Sequence, residues 1–371
     1  MSNNDAVSLR TGGLAAGVVI VGALALSAAL APDFLIGWAT LGLVAMVPTQ
    51  IVISLVWQSA YPKFIANLPQ PWRGLGFMLL NGLLGGAIGY VAWAVVGGGS
   101  APPTPFVNMY LIFAVPVMLF LVIPLQAWPC SRFCRSPGSL GAALIVSAYG
   151  LAYLLFRLLF NFDFMADAPF YAVDLDPQGL FMAWQPLVLS IAAVVPMLAL
   201  VLFDFWPISV LAGRYPALAR QPLSGLLASV LVAGVTLALW GYCVELLAMD
   251  IVLFMVRVCV TLNFGFFIIL VMFEGMPSLR LPQPWRGLLL CLLGGGLAML
   301  MLFIYQLVAV GRFALPSGGP GYPLELWLAS AMLAVSFPAM VAFAGYFQFW
   351  PMARRAAPAA KDDTGNDKRV S

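Results

Sequence analysis

The sequence predicts an all-α integral membrane protein of about ten transmembrane helices, built from five tandem helical hairpins, with spans 1–4 and 7–10 as parallel repeats. Three observations predict it. Of the 371 residues, 63% are apolar and only 8% charged, with a mean hydropathy of +1.00; a soluble domain has about 45–50% and about 25%. Ten apolar stretches approach or exceed the roughly 20 residues that cross a hydrocarbon core. The string LPQPWRG stands at Leu68–Gly74 and again at Leu281–Gly287, 213 residues later.

Taken in order, the expected spans are 13–31, 34–57, 75–97, 106–127, 140–160, 183–205, 223–245, 251–273, 287–310 and 325–349. Only Pro32–Asp33 separates the first two, and Met249–Asp250 marks the break between the seventh and eighth, so each pair reads as a tight hairpin. The first stretch is too long for a cleavable signal peptide, and another span follows at once.

Orientation follows from basic residues, which are retained on the cytoplasmic side. One set of connections carries Arg10, Lys63, Arg73, Arg132, Arg135, Arg214, Arg220, Arg280, Arg286, Arg354, Arg355, Lys361, Lys368 and Arg369, which is 14 of the 17 basic residues. The other set carries Arg312 and the acids Asp33, Asp163, Asp167, Asp174, Asp176, Glu245, Asp250 and Glu325. Both termini are therefore expected in the cytoplasm, in a plasma or bacterial inner membrane.

Repeats organise the chain. Pro116, Met118, Gln126, Trp128 and Pro129 match Pro338, Met340, Gln348, Trp350 and Pro351 at an offset of 222, and Gly13 to Gly22 matches Gly225 to Gly234 at 212. This gives blocks at 1–130 (spans 1–4), 131–213 (a middle hairpin), 214–352 (spans 7–10) and a polar tail, 353–371, expected to be disordered. Trp–Pro closes spans 4, 6 and 10, and an Arg followed by Gly opens each hairpin. These residues read as interfacial anchors and helix stops, or alternatively as a cytoplasmic binding surface. Gly82, Gly85 and Gly86, Gly294–Gly296, and Gly13 and Gly17 permit close helix approach and admit a homo-oligomer.

With no histidine in the chain, His-ligated metals and Ser–His or Cys–His catalysis are excluded. A net charge of +3 is too small and scattered for nucleic acid. No cofactor motif and no metal set is present, and the Cys130/Cys134 pair lacks the second pair of a zinc site. The chain is therefore not expected to be an enzyme.

Polar groups inside spans are the candidate site. Pro48-Thr49-Gln50 in span 2 and Thr261 to Gly265 in span 8 interrupt apolar runs, and Gln50 falls on Asn263 at the 213 offset. Thr49, Gln50, Thr261 and Asn263 are expected to bind substrate near the midplane, or else to tie neighbouring helices together. Arg257, about two turns into span 8, is expected to greet an anionic group or to pair with Glu245 or Asp250. Asn81, Tyr90, Tyr149, Trp240, Tyr305 and Gln306 are candidates to line a path. Asp204 and Glu274 are expected to pair with Arg214, Arg220 or Arg280. The resulting expectation is a transport protein for a small neutral or weakly anionic solute. The alternative is a non-catalytic membrane subunit that binds a partner protein or lipid.

Overall fold

A computed structural model describes residues 8–277 and 279–352; the tail expected to be disordered lies outside them. Ten helices are long and apolar enough to span a membrane: Leu9–Ala29, Pro32–Val56, Trp72–Val95, Pro105–Val122, Pro137–Leu159, Trp184–Leu202, Leu223–Leu246, Ile251–Met272, Trp285–Phe313 and Pro323–Tyr346, here spans 1 to 10. Each lies within five residues of its expected bounds. The largest early shift is at span 1, which starts a turn sooner because the Ser8 side chain accepts from Thr11 N and caps it.

Burial alternates along the chain. In the even spans 61–72% of the most apolar window is buried, and in the odd spans 22–33%. The packing explains the alternation. Span 2 lies against span 4, 4 against 6, 6 against 8, 8 against 10, and 10 against 2, so the even spans form a closed inner ring. Odd spans sit outside in the grooves: span 1 over 8 and 10, span 3 over 10 and 2, span 5 over 2 and 4, and span 9 over 6 and 8. Span 7 packs on span 6, and Gln221 before its first turn donates to Pro124 O just beyond span 4.

Each outer span buries one stripe of its surface and leaves the rest apolar and exposed. The stripe begins at a first-turn glycine: Gly12, Gly74, Gly141, Gly225 and Gly287. It continues three, seven and eleven residues on, as Leu144, Ala148 and Ala152 in span 5 or Leu290, Gly294 and Ala298 in span 9. This spacing follows one face of a 3.6-residue helix. The buried glycine of span 1 is Gly12 rather than Gly13, whose Cβ would meet nothing, so span 1 registers with span 7 at 213 residues rather than 212.

The inner spans end alike. Two successive left-handed residues close each one: Gln58 and Ser59, Gln126 and Ala127, Asp204 and Phe205, Glu274 and Gly275, Gln348 and Phe349. The second amide of each pair reaches back to a carbonyl five or six residues earlier, such as Ala127 N to Leu121 O at 2.8 Å. Such a turn satisfies orphan carbonyls at a helix end. The helices have therefore already stopped before Trp128–Pro129, Trp206–Pro207 and Trp350–Pro351, and the Trp–Pro pairs begin the connections. We refer to this end as the Trp–Pro side.

The two LPQPWRG strings dock outer helices onto these ends. Gln70 Nε2 donates to Tyr346 O at 2.9 Å, while Gln70 Oε1 accepts from Gly74 N at 3.3 Å. Gln283 Nε2 donates to Leu202 O at 3.3 Å, and Gln283 Oε1 accepts from Gly287 N at 3.0 Å. The arginines then clasp two adjacent inner helices. Arg73 donates to Ser59 O at 2.7 Å on span 2 and to Gln348 Oε1 at 3.3 Å on span 10. Arg286 donates to Gly275 O at 2.8 Å on span 8 and to Asp204 Oδ2 at 2.7 Å on span 6. These arginines staple protein to protein rather than reaching for lipid, and the partner of Asp204 is Arg286, not the arginines expected from sequence. Trp72 and Trp285 are both 63% exposed.

On the far side, the long connection between spans 5 and 6 packs onto the bundle. Phe160–Asn161 pairs in parallel with Phe181–Met182, and Phe162 is buried against Phe106. Asp176 holds the loop, accepting from Phe162 N, Gln178 N and the Tyr171 hydroxyl. Donating to this carboxylate pushes the Tyr171 phenol up to about 12.

Candidate functional site

The inner helices are interrupted in two ways, by prolines toward their middles and by π turns that lie mostly toward their ends. Pro116 and Pro196 stand inside spans 4 and 6. Spans 2, 8 and 10, which are neighbours in the ring, each contain two widened π turns: Leu35–Ala39 and Val52–Val56, Met255–Val260 and Ile268–Met272, Ser330–Ser336 and Ala342–Tyr346. Pro48 and Pro338 add proline breaks to spans 2 and 10. A π turn shifts the backbone pairing by one residue, and such turns recur at functional sites.

Hydroxyls fill the shifted register. Thr40 Oγ1 donates to Leu35 O at 2.7 Å, Thr261 Oγ1 to Val256 O at 2.8 Å, and Ser336 Oγ to Ala331 O at 2.7 Å, each five residues back. Between helices, Thr40 Oγ1 reaches Ser330 Oγ at 2.9 Å, and the Tyr305 hydroxyl meets Ser336 Oγ at 2.6 Å. All of these side chains are buried. The polar interior of the ring therefore concentrates on the arc formed by spans 8, 10 and 2.

Thr49, Gln50, Thr261 and Asn263 are all buried on inner helices, at most 2% exposed. Gln50 Nε2 donates to Pro338 O of span 10 at 2.8 Å, and Asn263 Nδ2 to Ile191 O of span 6 at 3.1 Å. Each amide thus ties its helix to the next inner helix on the same side of the ring. Their acceptor ends behave differently: Gln50 Oε1, Asn263 Oδ1 and Thr49 Oγ1 are buried without a partner. Unmet buried acceptors are costly in a protein interior.

Gln50 and Asn263 do not occupy equivalent depths. Gln50 precedes the polar turn residue Gln58 by eight positions, whereas Asn263 precedes Glu274 by eleven. The connection that follows span 2 is three residues longer than the one after span 8, so the 213 offset that aligns the LPQPWRG strings slips inside the helices. Asn263 sits about one helical turn farther from the Trp–Pro side.

Arg257 belongs to a separate cluster near the far side. Its Nη2 donates to Ser317 Oγ at 2.8 Å and lies 3.6 Å from Glu325 Oε1. Glu325 is fully buried and also accepts from Ser317 Oγ at 2.6 Å and Gly318 N at 3.1 Å. The Arg257 side chain remains 44% exposed. The expected partners are otherwise placed. Asp250 caps span 8 through Val252 N and Leu253 N and accepts from the Tyr322 hydroxyl; Glu245 is exposed. The nearest acids in sequence lose to Glu325 because span 10 packs directly on span 8.

Of the residues offered as path-lining, Asn81, Tyr149 and Tyr305 turn inward. Tyr149 donates to Ala45 O at 2.7 Å, and Asn81 Oδ1 has no partner. Tyr90 and Gln306 face outward. Sequence reasoning missed Thr40, Ser330, Ser336 and the partnership of Glu325; hydroxyls at the ends of short apolar runs within spans 2 and 10 were the available signal.

Two apolar grooves open between outer helices. One, of about 350 Å³, is lined by Leu159, Phe181, Gln185, Pro186, Leu189 and Trp240. The other, of about 310 Å³, runs between spans 1, 8 and 9 along Gly13, Gly17, Ile20 and Leu24. Trp240, which sequence suggested for a central path, lines the first groove instead. Compared with known proteins, the chain matches no family model, no curated protein and no solved structure.

Proposed function

We propose that this multi-pass membrane protein is a non-enzymatic permease for a small neutral or weakly anionic solute, with its site on the inner arc of spans 8, 10 and 2. One observation carries the reading: the unpartnered acceptors Thr49 Oγ1, Gln50 Oε1 and Asn263 Oδ1 are buried on helices broken by π turns and proline. Interrupted helices at mid-membrane depth are where transporters place solute sites. Three acceptors call for a solute that donates hydrogen bonds. Arg257 stands at the far-side approach, and because Glu325 balances its charge, the pair favours a neutral solute over a strong anion. The basic Trp–Pro side supports cytoplasmic termini. The shared stripes, turns and docking strings support five hairpin copies around an axis near the membrane normal.

The test is uptake of radiolabelled glycerol, lactate and leucine into proteoliposomes, comparing wild type with Gln50→Met. Met removes both the orphan acceptor and the amide bond to Pro338 O at similar volume; because Pro338 O keeps its helical donor Ala342 N, thermal stability should change by no more than about 1.5 kcal/mol. Uptake of the recognised solute should fall at least tenfold. Unchanged uptake in a folded Gln50→Met protein would remove Gln50 from the site.

The two exposed grooves favour a second reading, a silent subunit that holds lipid chains between its outer helices. No uptake of any solute, with lipid co-purifying at fixed stoichiometry, would support it.

A further inference from the structure

Three outer helices begin with the same frame, Gln-Pro-x-x-Gly: Gln70 to Gly74, Gln221 to Gly225 and Gln283 to Gly287. In each, proline caps the helix with φ between −86° and −88°. In each, the glutamine donates to the carbonyl two residues before the polar turn of an inner helix: Tyr346 O, Pro124 O and Leu202 O. The three docks are thus the same device at three junctions of the ring.

The dock of span 7 is incomplete. Its fourth position is Ser224, where the other two frames place Arg73 and Arg286. Among the described residues, no guanidinium there bridges spans 4 and 6. Ser224 Oγ is buried without a partner, and so is Gln221 Oε1, whose equivalents accept from Gly74 N and Gly287 N. Gln221 keeps only its donor bond, at 3.3 Å. Span 7 is also the least buried of the ten, at 22%. At its other end Trp240 lines the 350 Å³ groove, beside Gln185, Pro186 and Leu189 of span 6. A weak staple, two stranded polar atoms and an open apolar groove therefore lie along one helix.

We infer that the ring parts at the seam between spans 4 and 6, with span 7 as the moving cover, and that an uncharged, partly apolar solute enters the ring there from the bilayer. The seam rests on the docking geometry; the entry route rests on the permease reading above. Parting needs no ion pair to break, in contrast with Arg286 and Asp204, 2.7 Å apart at the junction of spans 6 and 8.

Hydrogen exchange on the wild-type protein in nanodiscs tests the seam without reference to transport. The first turns of span 7, Leu226 to Ser229, should exchange at least tenfold faster than Leu75 to Met78 of span 3 and Leu288 to Cys291 of span 9. Ser224→Arg, which supplies the missing clasp, should slow exchange there about tenfold. Should that variant fail to fold, Arg286→Ser provides the converse, raising exchange at Leu288 to Cys291 to the level of span 7. Equal protection of all three helices in wild type would overturn the seam. In proteoliposomes, Ser224→Arg should also lower uptake of glycerol, the uncharged solute of the panel, at least fivefold. Slowed exchange with unchanged uptake would overturn the entry route while leaving the permease reading intact. No uptake of glycerol, lactate or leucine by wild type would overturn the permease reading, and the route with it, while exchange still decides the seam.

Discussion

Arg257 and Glu325 show why depth and partner matter more than charge count. Glu325 is fully buried and holds Ser317 and Gly318 as well as the arginine, whereas the arginine is half in contact with solvent. Removing Arg257 strands a carboxylate that cannot reach water, so Arg257→Leu should lose about 1–3 kcal/mol in thermal unfolding. Combining it with Glu325→Leu should recover part of the loss, a coupling that a double-mutant cycle measures. An additive cycle would mean that the two side chains do not support one another. The sequence singled out Arg257, but its partner lies 68 residues away, and separation in the chain carries no information about which inner helices are neighbours.

Glycines that look alike in sequence also part company. A Cβ on Gly265 would run into Gly294 O and Ala298, and one on Gly85 would meet the Met46 backbone, whereas Gly82, Gly86, Gly295 and Gly296 face open space. Gly265→Ala should therefore force spans 8 and 9 apart and abolish the monodisperse peak in size-exclusion chromatography. Gly295→Ala should be neutral or stabilising by up to about 1 kcal/mol in thermal unfolding, since it removes backbone freedom from a lipid-facing turn. If both variants behave alike, the packing of spans 8 and 9 is not the close one described.

At the scale of elements, hydropathy was sufficient to find every span, because a 20-residue apolar run has few other uses. What hydropathy could not separate was inner from outer. Spans 4 and 7 are both uniformly apolar, yet one is 67% buried and the other 22%. In lipid, a helix face against protein and a face against acyl chains are equally hydrophobic. The legible trace was the stripe of small residues from the first-turn glycine. The π turns left little trace in composition: three of the six carry a Thr or Ser bonded five residues back, and among the described residues no such bond marks the other three.

The far-side loop gives an element-level prediction with a definite sign. Tyr171 is held protonated by its bond to Asp176, with its ionisation pushed up to about 12. A folded-state value above the unfolded one means that the bond supports the loop fully below about pH 10 and is lost as pH rises through about 12. Ultraviolet titration of the wild type against Tyr171→Phe isolates this one phenol. Its midpoint should fall toward about 10 in Asp176→Ala. An unchanged midpoint would mean that another group sets it.

For the whole molecule, the organising feature is closure. The first inner helix, span 2, packs against the last, span 10, and that contact brings Thr40 Oγ1 to 2.9 Å from Ser330 Oγ although the residues are 290 apart. Closure explains why polar atoms can be kept in a 63% apolar chain: the amides of Gln50, Asn108 and Asn263 donate to carbonyls on neighbouring inner helices, where lipid would offer none. It also makes the ring the structure most sensitive to being cut. With Thr40→Cys and Ser330→Cys in a protein whose native cysteines are replaced by Ala, oxidation should join the two ends of the ring. Protease cleavage at a site inserted in the connection at 163–180 should then leave both fragments migrating as one band until a reductant is added. The linked protein should unfold at a higher temperature than its reduced form, since the bond closes a very long loop. Two separate bands under oxidising conditions would mean that spans 2 and 10 are not neighbours, and a row of helices open at one edge would have to replace the ring.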